Sequence, residues 1–343
     1  MPGLIVGMWF GINGQAFAEQ ENILRLINGQ KLSFGAGMTT VLQRADDGTD
    51  DNSGFSYSAD MVIEGDFGDK GSALIYIDSA QGEGVSPNVA TGVNADNETG
   101  DLASGGYSDT RIAEVWYEFP ISEITSLKVG KIDPTGIYDA NEIANNETTQ
   151  FLSNSFVNNP AIPFPGYTSG ASLRIDATTN VIVNLGIFES AGDVAGTLDT
   201  SFAIGEVNYS HEVGGYHGNI RLMTWKEDTA ANQGWAINLD QGISDTITLM
   251  MRYGTQKDTE PFDSALSFGA QWRINEDNVG AAFSQLAATA AGADNESHFE
   301  VYYNHAVADN IRFTADIQRI SNPNFDGNAD SITVYGLRGQ IDI

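Results

Sequence analysis

The chain has 343 residues, no cysteine, and 46 acidic against 16 basic side chains, which gives a formal charge of −30 at pH 7. This excess of acid argues against a nucleic-acid partner, because phosphates are bound through Lys and Arg, and the lack of cysteine excludes a disulfide-stapled domain. No run of about eighteen apolar residues occurs, so no transmembrane helix is expected. No linker-like stretch divides the chain either, and we expect one domain.

The N-terminal residues resemble an export signal. Residues 4–12 form a short apolar segment, and Ala16-Phe17-Ala18 fits a cleavage site before Glu19, although no Lys or Arg occurs in the first 24 residues. We predict that residues 1–18 are a signal peptide and that residues 19–343 form the mature domain, exported through the periplasm to the bacterial outer membrane. A buried first strand is the alternative.

From about residue 32 to the C-terminus, apolar and polar residues alternate with a period of two, and the pattern restarts about sixteen times. Successive side chains of a β-strand point to opposite faces, so each stretch predicts a strand with one apolar face. The apolar stripes are Phe34, Ala36, Met38; Tyr57, Ala59, Met61, Ile63; Val115, Tyr117, Phe119; Leu127, Val129; Val181, Val183, Leu185, Ile187; Ile247, Leu249, Met251, Tyr253; Leu266, Phe268, Ala270, Trp272; Phe299, Val301, Tyr303; and Ile311, Phe313, Ala315, Ile317.

The connections between these stretches are alternately short and long. The short ones carry turn-forming residues and lie at 66–71, 177–180, 211–216, 241–245, 275–278 and 306–310. Tight turns on one membrane side and extended loops on the other are typical of a transmembrane β-barrel. A soluble β-sandwich or propeller also alternates but lacks this rhythm. We therefore predict an all-β fold, a transmembrane antiparallel β-barrel of about 16 strands.

Most acidic residues fall in the predicted loops. Residues 46–52 read DDGTDDN, and residues 79–108 are rich in Gly, Asn and Asp and contain no Lys or Arg. We expect these loops to be a solvated surface. Calcium bridging is an alternative, but neither stretch has EF-hand spacing.

By strand parity, twelve charged residues of the predicted strands fall on the polar, inward face, since a charge facing lipid costs a few kcal/mol near the midplane. Inward acids come from the first strands: Asp60, Glu64, Asp78, Glu114 and Glu118. Inward bases come from the fifth strand onward: Lys128, Arg174, Arg221, Arg252, Arg273, Arg312 and Arg338. Walls of unlike charge predict a transverse field that orients water and polar solutes in the lumen. Local salt bridges between strands are the alternative.

The longest connection without alternation runs over residues 133–170, and loops of that length are usually functional. We expect Asp139 to cap a short helix through Ala144, a second helical turn between Glu147 and Phe156, and an extended return imposed by prolines. The apolar side chains of this connection need a surface on which to pack. The barrel interior is nearest, so we predict an inward-folded constriction loop.

The segment at 129–167, VGKIDPTGIYDANEIANNETTQFLSNSFVNNPAIPFPGY, resembles the signature of the carbohydrate-selective porins, the OprB family. In that family a strand ending in G-[KR]-x-D-P leads into Asp and Asn residues, an E-T-x-F-like helix and an N-N-P-A-I-P-F-P return. The resemblance implies a sixteen-stranded outer-membrane barrel that passes monosaccharides and similar polyols by facilitated diffusion, with the inward loop as its constriction.

The C-terminal segment also fits an outer-membrane barrel. Tyr335, Leu337, Gly339, Ile341 and Ile343 form an outward stripe that resembles the signal read by the barrel-assembly machinery, with Ile where Phe is usual. We therefore expect two partners, outer-membrane lipid and, during biogenesis, that machinery. A homotrimer is left open.

A sugar presents hydroxyls that donate and accept hydrogen bonds, so a sugar-selective pore needs charged and amide groups at its narrowest point, with aromatic rings such as Tyr138 or Trp116 against C–H surfaces. The candidate constriction residues are Lys128, Asp133, Tyr138, Asp139, Asn141, Asn145, Glu147, Gln150, Asn158, Asn159 and Arg174. We predict that Lys128 and Arg174 face Asp139 and Glu147 across the solute path. Loop Asn and Asp commonly bond their own backbone instead, and we expect about half of these residues to face solute.

We expect no enzyme activity, no cofactor and no metal. Glu142 and Glu147 lie five residues apart on a loop, which does not define the carboxylate separation of a glycosidase, and four scattered histidines offer no metal spacing. Two other functions remain open: a general diffusion porin without sugar selectivity, and a surface scaffold or adhesin whose acidic loops bind cations. An inward-folded loop and a wet lumen would favour transport.

Overall fold

The computed structural model describes residues 24–25, 31–46, 52–85, 89, 91–93, 109–191, 198–229, 232–257 and 259–343. The predicted signal peptide lies outside this part of the chain and stays a prediction. Most residues of the two acidic stretches, 46–52 and 79–108, also lie outside it. Among the residues described, no helix is both long enough and apolar enough to cross a membrane.

Sixteen strands form the barrel, and a two-residue strand, Leu24–Arg25, pairs with the first of them. The barrel strands are β1 (Lys31–Asp46), β2 (Ser53–Asp66), β3 (Ser72–Glu83), β4 (Asp109–Ser122), β5 (Thr125–Ile132), β6 (Thr168–Thr178), β7 (Val181–Glu189), β8 (Ser201–Val213), β9 (Tyr216–Glu227), β10 (Asn232–Gly242), β11 (Ile247–Gln256), β12 (Phe262–Ile274), β13 (Asp277–Ala288), β14 (Glu296–Ala308), β15 (Ile311–Ser321) and β16 (Ile332–Asp342).

The sheet closes on itself. Each strand is antiparallel to its neighbour, and β16 returns to β1, with Thr333 opposite Asp46 and Asp342 opposite Gly37. Closure satisfies the backbone hydrogen bonds that an open edge would expose to lipid. The connections after the even-numbered strands have two to five residues, whereas those after the odd-numbered strands have four to 35, which defines a turn side and a loop side. The prediction of a barrel of about sixteen strands is confirmed.

Side chains alternate along each strand between an exposed outward face and an inward face. On β1, Leu42 is 53% exposed, whereas its neighbours Val41 and Gln43 are buried. Exposed apolar residues continue around the outside, including Leu337 and Ile341 of the C-terminal stripe. Because a membrane barrel turns its apolar face toward lipid and its polar face toward the interior, the predicted period-two pattern corresponds to the outside and inside of the barrel.

The loop after β3 differs from the expectation of a solvated surface. Its described residues Val85 and Val89 are buried, and they pack against Ala45, Ile320 and Val334 on the inner wall. The polar stretch therefore contains apolar residues that find cover inside the loop-side end of the barrel, because burial of apolar surface is favourable.

Candidate functional site

The lumen loop, residues 133–167, connects β5 to β6. It begins with a 3-10 turn, Pro134–Gly136, which Asp133 caps by accepting hydrogen bonds from Thr135 N at 2.8 Å and Thr135 Oγ1 at 2.7 Å. Its one α-helical turn, α1, spans only Asn154–Val157. The remainder is a series of turns and bends held by side-chain contacts.

The predicted helix from Asp139 to Ala144 is wrong. Asp139 has a φ of 60°, the left-handed conformation, whereas a residue that caps a helix N-terminus is extended. The Asp139 carboxylate bonds the barrel wall and a distant part of the loop, so it is not available to cap the next turn. The second predicted helical turn, between Glu147 and Phe156, is present only as α1.

The loop folds into the lumen, as its apolar content predicted. Phe151 meets Tyr302 of β14 edge-on, with ring centres 4.9 Å apart, and also contacts Phe156 at 5.2 Å. At the start of the loop, Tyr138 meets Phe188 of β7 edge-on at 6.0 Å. These rings are fully buried. The loop is therefore packed against the β6–β16 wall like part of a protein core.

Asp139 is the centre of the first anchor between loop and wall. Its Oδ2 lies 3.2 Å from Arg252 Nε, and its Oδ1 accepts a 2.7 Å hydrogen bond from Asn238 Nδ2. Its own backbone N–H donates to Glu206 Oε2 at 2.9 Å, and Asn159 N donates to its carboxylate at 2.7 Å. The Asp139 and Arg252 side chains are 0% and 1% exposed. Asp139 is therefore buried against Arg252 and, contrary to the prediction, does not face Lys128 and Arg174 across the solute path.

A second anchor holds the middle of the loop. Arg338 of β16 donates to the carbonyl oxygens of Glu147 at 2.5 Å and Gln150 at 2.8 Å. The Glu300 carboxylate of β14 accepts hydrogen bonds from Leu152 N at 2.6 Å and Ser153 N at 3.0 Å. Sequence reasoning placed Arg338 in the lumen but missed Glu300. The strand parity of Glu300, which places it on the inward face of β14, could have identified it as a lumen residue.

Several predicted constriction residues support the loop itself. Asn141 Nδ2 donates to Asn238 Oδ1 at 2.7 Å, and Gln150 Oε1 accepts from Asn145 N at 2.8 Å. Asn159 Oδ1 accepts from Ala161 N at 3.1 Å. The Tyr138 hydroxyl shares a 2.8 Å hydrogen bond with Ser172, and burial raises the pKa of Tyr138. The buried members of the predicted set are Asp133, Tyr138, Asp139, Asn141 and Asn159.

Lys128 and Arg174 lie on the inward face of β5 and β6 and retain access to the lumen. Lys128 Nζ sits 3.8 Å above the centre of the Trp116 ring and 3.7 Å from Glu118 Oε2. Arg174 Nη2 lies 2.8 Å from Asp176 Oδ1. The two cationic side chains are 21% and 41% exposed. Asn145, Glu147, Gln150 and Asn158 on the loop are also partly exposed.

The predicted segregation of lumen charge is incomplete. The early strands do carry buried acids, and Asp60 accepts a 2.8 Å hydrogen bond from Tyr76. The late strands, however, pair acids with bases, as in the buried contact of Arg221 with Asp240. Further inward contacts are those of Ser33 with Glu64 at 3.4 Å, Asp133 N with Glu114 at 3.0 Å, Arg312 with Asn304 at 2.7 Å and Arg273 with Asp245 O at 2.6 Å. Local pairing, the alternative above, is therefore a major feature of the wall.

Glu142 is an exposed carboxylate of the loop that faces a wall histidine. Its Oε1 lies 3.9 Å from His217 Nε2, and the two side chains are 41% and 44% exposed. Burial raises the pKa of the Glu142 carboxyl, and repulsion by Asp240 adds to that effect, whereas His217 and Arg221 oppose it. Glu142 and His217 thus offer an acceptor and a donor side chain with access to solvent. In the part of the chain described, no three His, Asp or Glu side chains are placed to hold a metal ion.

Comparison with known proteins finds a family match over part of the chain, less than half of its length. Residues 209–343 match the family model of the carbohydrate-selective porins, the OprB family. The motif at 129–167 lies outside that match. A relative from Aquifex aeolicus (strain VF5), described only as an uncharacterized protein, is 23% identical over 191 residues. That match spans 56% of this chain and 58% of the relative, less than two thirds of its length.

Solved porins share the fold. The high-pH structure of Pseudomonas putida OprB superposes with a TM-score of 0.76 at 14% identity, covering 91% of this chain and 94% of that one. The low-pH structure of the same porin gives 0.61 at 13% identity, with coverage of 91% and 92%. A triple mutant of the Rhodopseudomonas blastica porin gives 0.60 at 11% identity, with coverage of 91% and 100%. The predicted resemblance is confirmed over part of the chain: the chain folds as a sixteen-stranded barrel like those of solved porins, and its residues 209–343 match the OprB family of carbohydrate-selective porins.

Proposed function

We propose that the protein is a passive outer-membrane channel for the facilitated diffusion of monosaccharides and similar small polar solutes, with the lumen loop as its constriction. The observation that carries this proposal is the anchoring of the loop inside the barrel. Arg252 and Arg338, on opposite sides of β12–β15, both bind its backbone carbonyl oxygens. A loop fixed at both points narrows the lumen permanently and presents the same side chains to every solute.

Polar groups at the accessible edge of the loop and the adjacent wall suit a neutral, hydroxylated solute. Lys128 and Arg174 supply donors, Glu118 and Glu142 supply acceptors, and Asn145 supplies both. We assign solute contact to these side chains, because the buried members of the predicted set already bond the protein. We assign the aromatic contact with the C–H surface of the sugar to Trp116, whose ring is only partly buried.

Two other functions, a general diffusion porin and an adhesin barrel, differ from this proposal in whether sugar binding in the lumen saturates. A general diffusion porin passes sugars without binding them, and an adhesin barrel has no need of an open lumen. The inward packing of the lumen loop and of Val85 and Val89 supports transport over adhesion, since these residues lie inside the barrel and not on the cell surface.

Single-channel recording tests the proposal. Purified protein in a planar bilayer, bathed in KCl, is titrated with glucose, and polyethylene glycol matched in viscosity but too large to enter is the control. We expect the current to fall to a plateau with a definable half-block concentration. A linear fall equal to the control would favour the general diffusion porin, and no channel activity would contradict transport.

A further inference from the structure

In the part of the chain that the structure describes, the cationic side chains on the outward strand face lie at the loop-side ends. Five outward basic residues occupy these ends, on or directly after β1, β5, β9, β11 and β15: Arg44, Lys131, Lys226, Lys257 and Arg319. In outer-membrane barrels the long loops are extracellular, so these cations lie at the level of the outer-leaflet headgroups. Cations at that level attract anionic lipid headgroups.

Lys226 and Lys257 flank one position of the sheet. Lys226 pairs with Gln233 across β9 and β10, and Lys257 N donates to Gln233 O at 3.0 Å from the opposite side. Their Cα atoms are thus two strand spacings apart, about 10 Å, which two long flexible side chains can bridge around one phosphate. Lys226 already contacts Asp228 at 3.0 Å, but both side chains are about half exposed or more, so that ion pair is weak.

A groove of about 810 Å³ lies on the outward face directly below these lysines. One row of the sheet crosses it from Leu185 through Gly205, Thr224 and Trp235 to Thr255, as the strand registers show. Gly205 and Thr224 form a low floor between the larger Leu185 and Trp235, which are 48% and 50% exposed.

The next row toward the midplane is wholly apolar or aromatic. It runs from Val183 through Val207, Leu222 and Ile237 to Tyr253. The outward surface therefore passes from two lysines, through a groove with a small-residue floor, to an apolar band. This order matches a phosphate headgroup followed by an acyl chain.

We propose that the β7–β11 groove binds a phosphate-bearing anionic lipid of the outer leaflet, with its headgroup on Lys226 and Lys257 and one acyl chain between Leu185 and Trp235. The charge complementarity is local. The chain has 30 more acidic than basic residues, yet two of its 16 basic side chains border one lipid-facing groove. A second copy of the chain is the competing occupant.

Quenching of tryptophan fluorescence tests the proposal. Purified protein in detergent is titrated with small mole fractions of brominated phosphatidylglycerol or brominated phosphatidylcholine. Of the tryptophans that the structure describes, Trp235 and Trp272 are exposed on the outward face, whereas Trp116 and Trp225 point inward. The lipid-quenched part of the fluorescence therefore reports Trp235 in the Trp272→Phe protein and Trp272, at the turn side, in the Trp235→Phe protein. We expect phosphatidylglycerol to quench Trp235 at lower lipid fractions than phosphatidylcholine and at lower fractions than it quenches Trp272.

Two variants and a matched control complete the test. The double variant Lys226→Gln, Lys257→Gln removes two contacts between lysine and headgroup. The fraction of phosphatidylglycerol that half-quenches Trp235 should therefore rise by roughly thirtyfold. Thr224→Phe should fill the groove floor and remove the preference without changing charge. Arg44→Gln with Arg319→Gln removes two outward cations away from the groove and should have no effect. Equal quenching by the two lipids, equal quenching of the two tryptophans, or a dimer that shields Trp235 would overturn the proposal.

Discussion

Asp139 and Arg252 form a fully buried ion pair between the lumen loop and the barrel wall, with Arg252 Nε 3.2 Å from Asp139 Oδ2. Arg252 also donates from Nη2 to the Asp139 carbonyl oxygen at 2.9 Å, and from Nη1 to the carbonyl oxygen of Phe156. One guanidinium thus joins two loop positions seventeen residues apart in sequence to β11. Its planar array of donors suits this bridging better than a lysine ammonium.

Replacing Arg252 by Gln should release this part of the loop. Asp139 would remain as a buried, unpaired charge, which typically costs about 3–5 kcal/mol. We expect a larger and noisier single-channel conductance and a lower thermal midpoint by circular dichroism. Arg312→Gln, which removes a lumen arginine bonded to Asn304 near the turn side, is the matched control. If the two variants behave alike, Arg252 acts only through its charge.

Glu300 should hold the middle of the loop through both oxygens of its carboxyl group. Glu300→Gln keeps the size of the side chain but leaves one acceptor oxygen for two backbone donors, Leu152 N and Ser153 N. An unsatisfied buried donor costs about 1–3 kcal/mol. We expect additional conductance substates in single-channel traces. The band of the folded barrel on unheated gels should remain. Traces identical to those of the unsubstituted protein would show that Arg338 alone suffices.

Much of the barrel was predictable from sequence because strand period and turn chemistry are local. The turn at 177–180 and the last strand lie where alternation placed them. The loop was less predictable. Asp139 adopts a left-handed conformation because Arg252 and Asn238, about a hundred residues later, bind its carboxylate. Inward parity identified Arg252 as a lumen charge, but strand parity does not specify which loop atom it meets.

Lys128 and Arg174 remain predicted solute contacts, now with unequal expected effects. A charge-assisted hydrogen bond contributes roughly 1.5–3 kcal/mol before desolvation, so Lys128→Ala should raise the half-block concentration of glucose by roughly tenfold. Arg174 is 41% exposed and paired with Asp176, so Arg174→Ala should have a smaller effect. Both should shift ion preference toward cations. If sugar block and ion selectivity are unchanged in both variants, solute does not contact this wall.

Glu142 should make ion selectivity depend on pH. Because its pKa is raised by burial, this carboxyl becomes protonated at a higher pH than an ordinary glutamate as the solution is acidified. Reversal potentials in a KCl gradient should therefore show cation preference falling as pH decreases, beginning above the ordinary glutamate range. Glu142→Gln should remove that component and should resemble the acidified channel at every pH. An unaltered titration in Glu142→Gln would assign the change to other carboxylates.

The most direct test of the account is the single-channel conductance of a barrel whose lumen loop has been shortened. Residues 140–157 are replaced by a short Gly-Ser linker between Asp139 and Asn158, so that both barrel strands and the Asp139 anchor are kept. Gel mobility before and after heating verifies that the barrel has closed. The account predicts a severalfold rise in conductance and loss of saturable glucose block. A closed barrel with unchanged conductance and unchanged sugar block would contradict it.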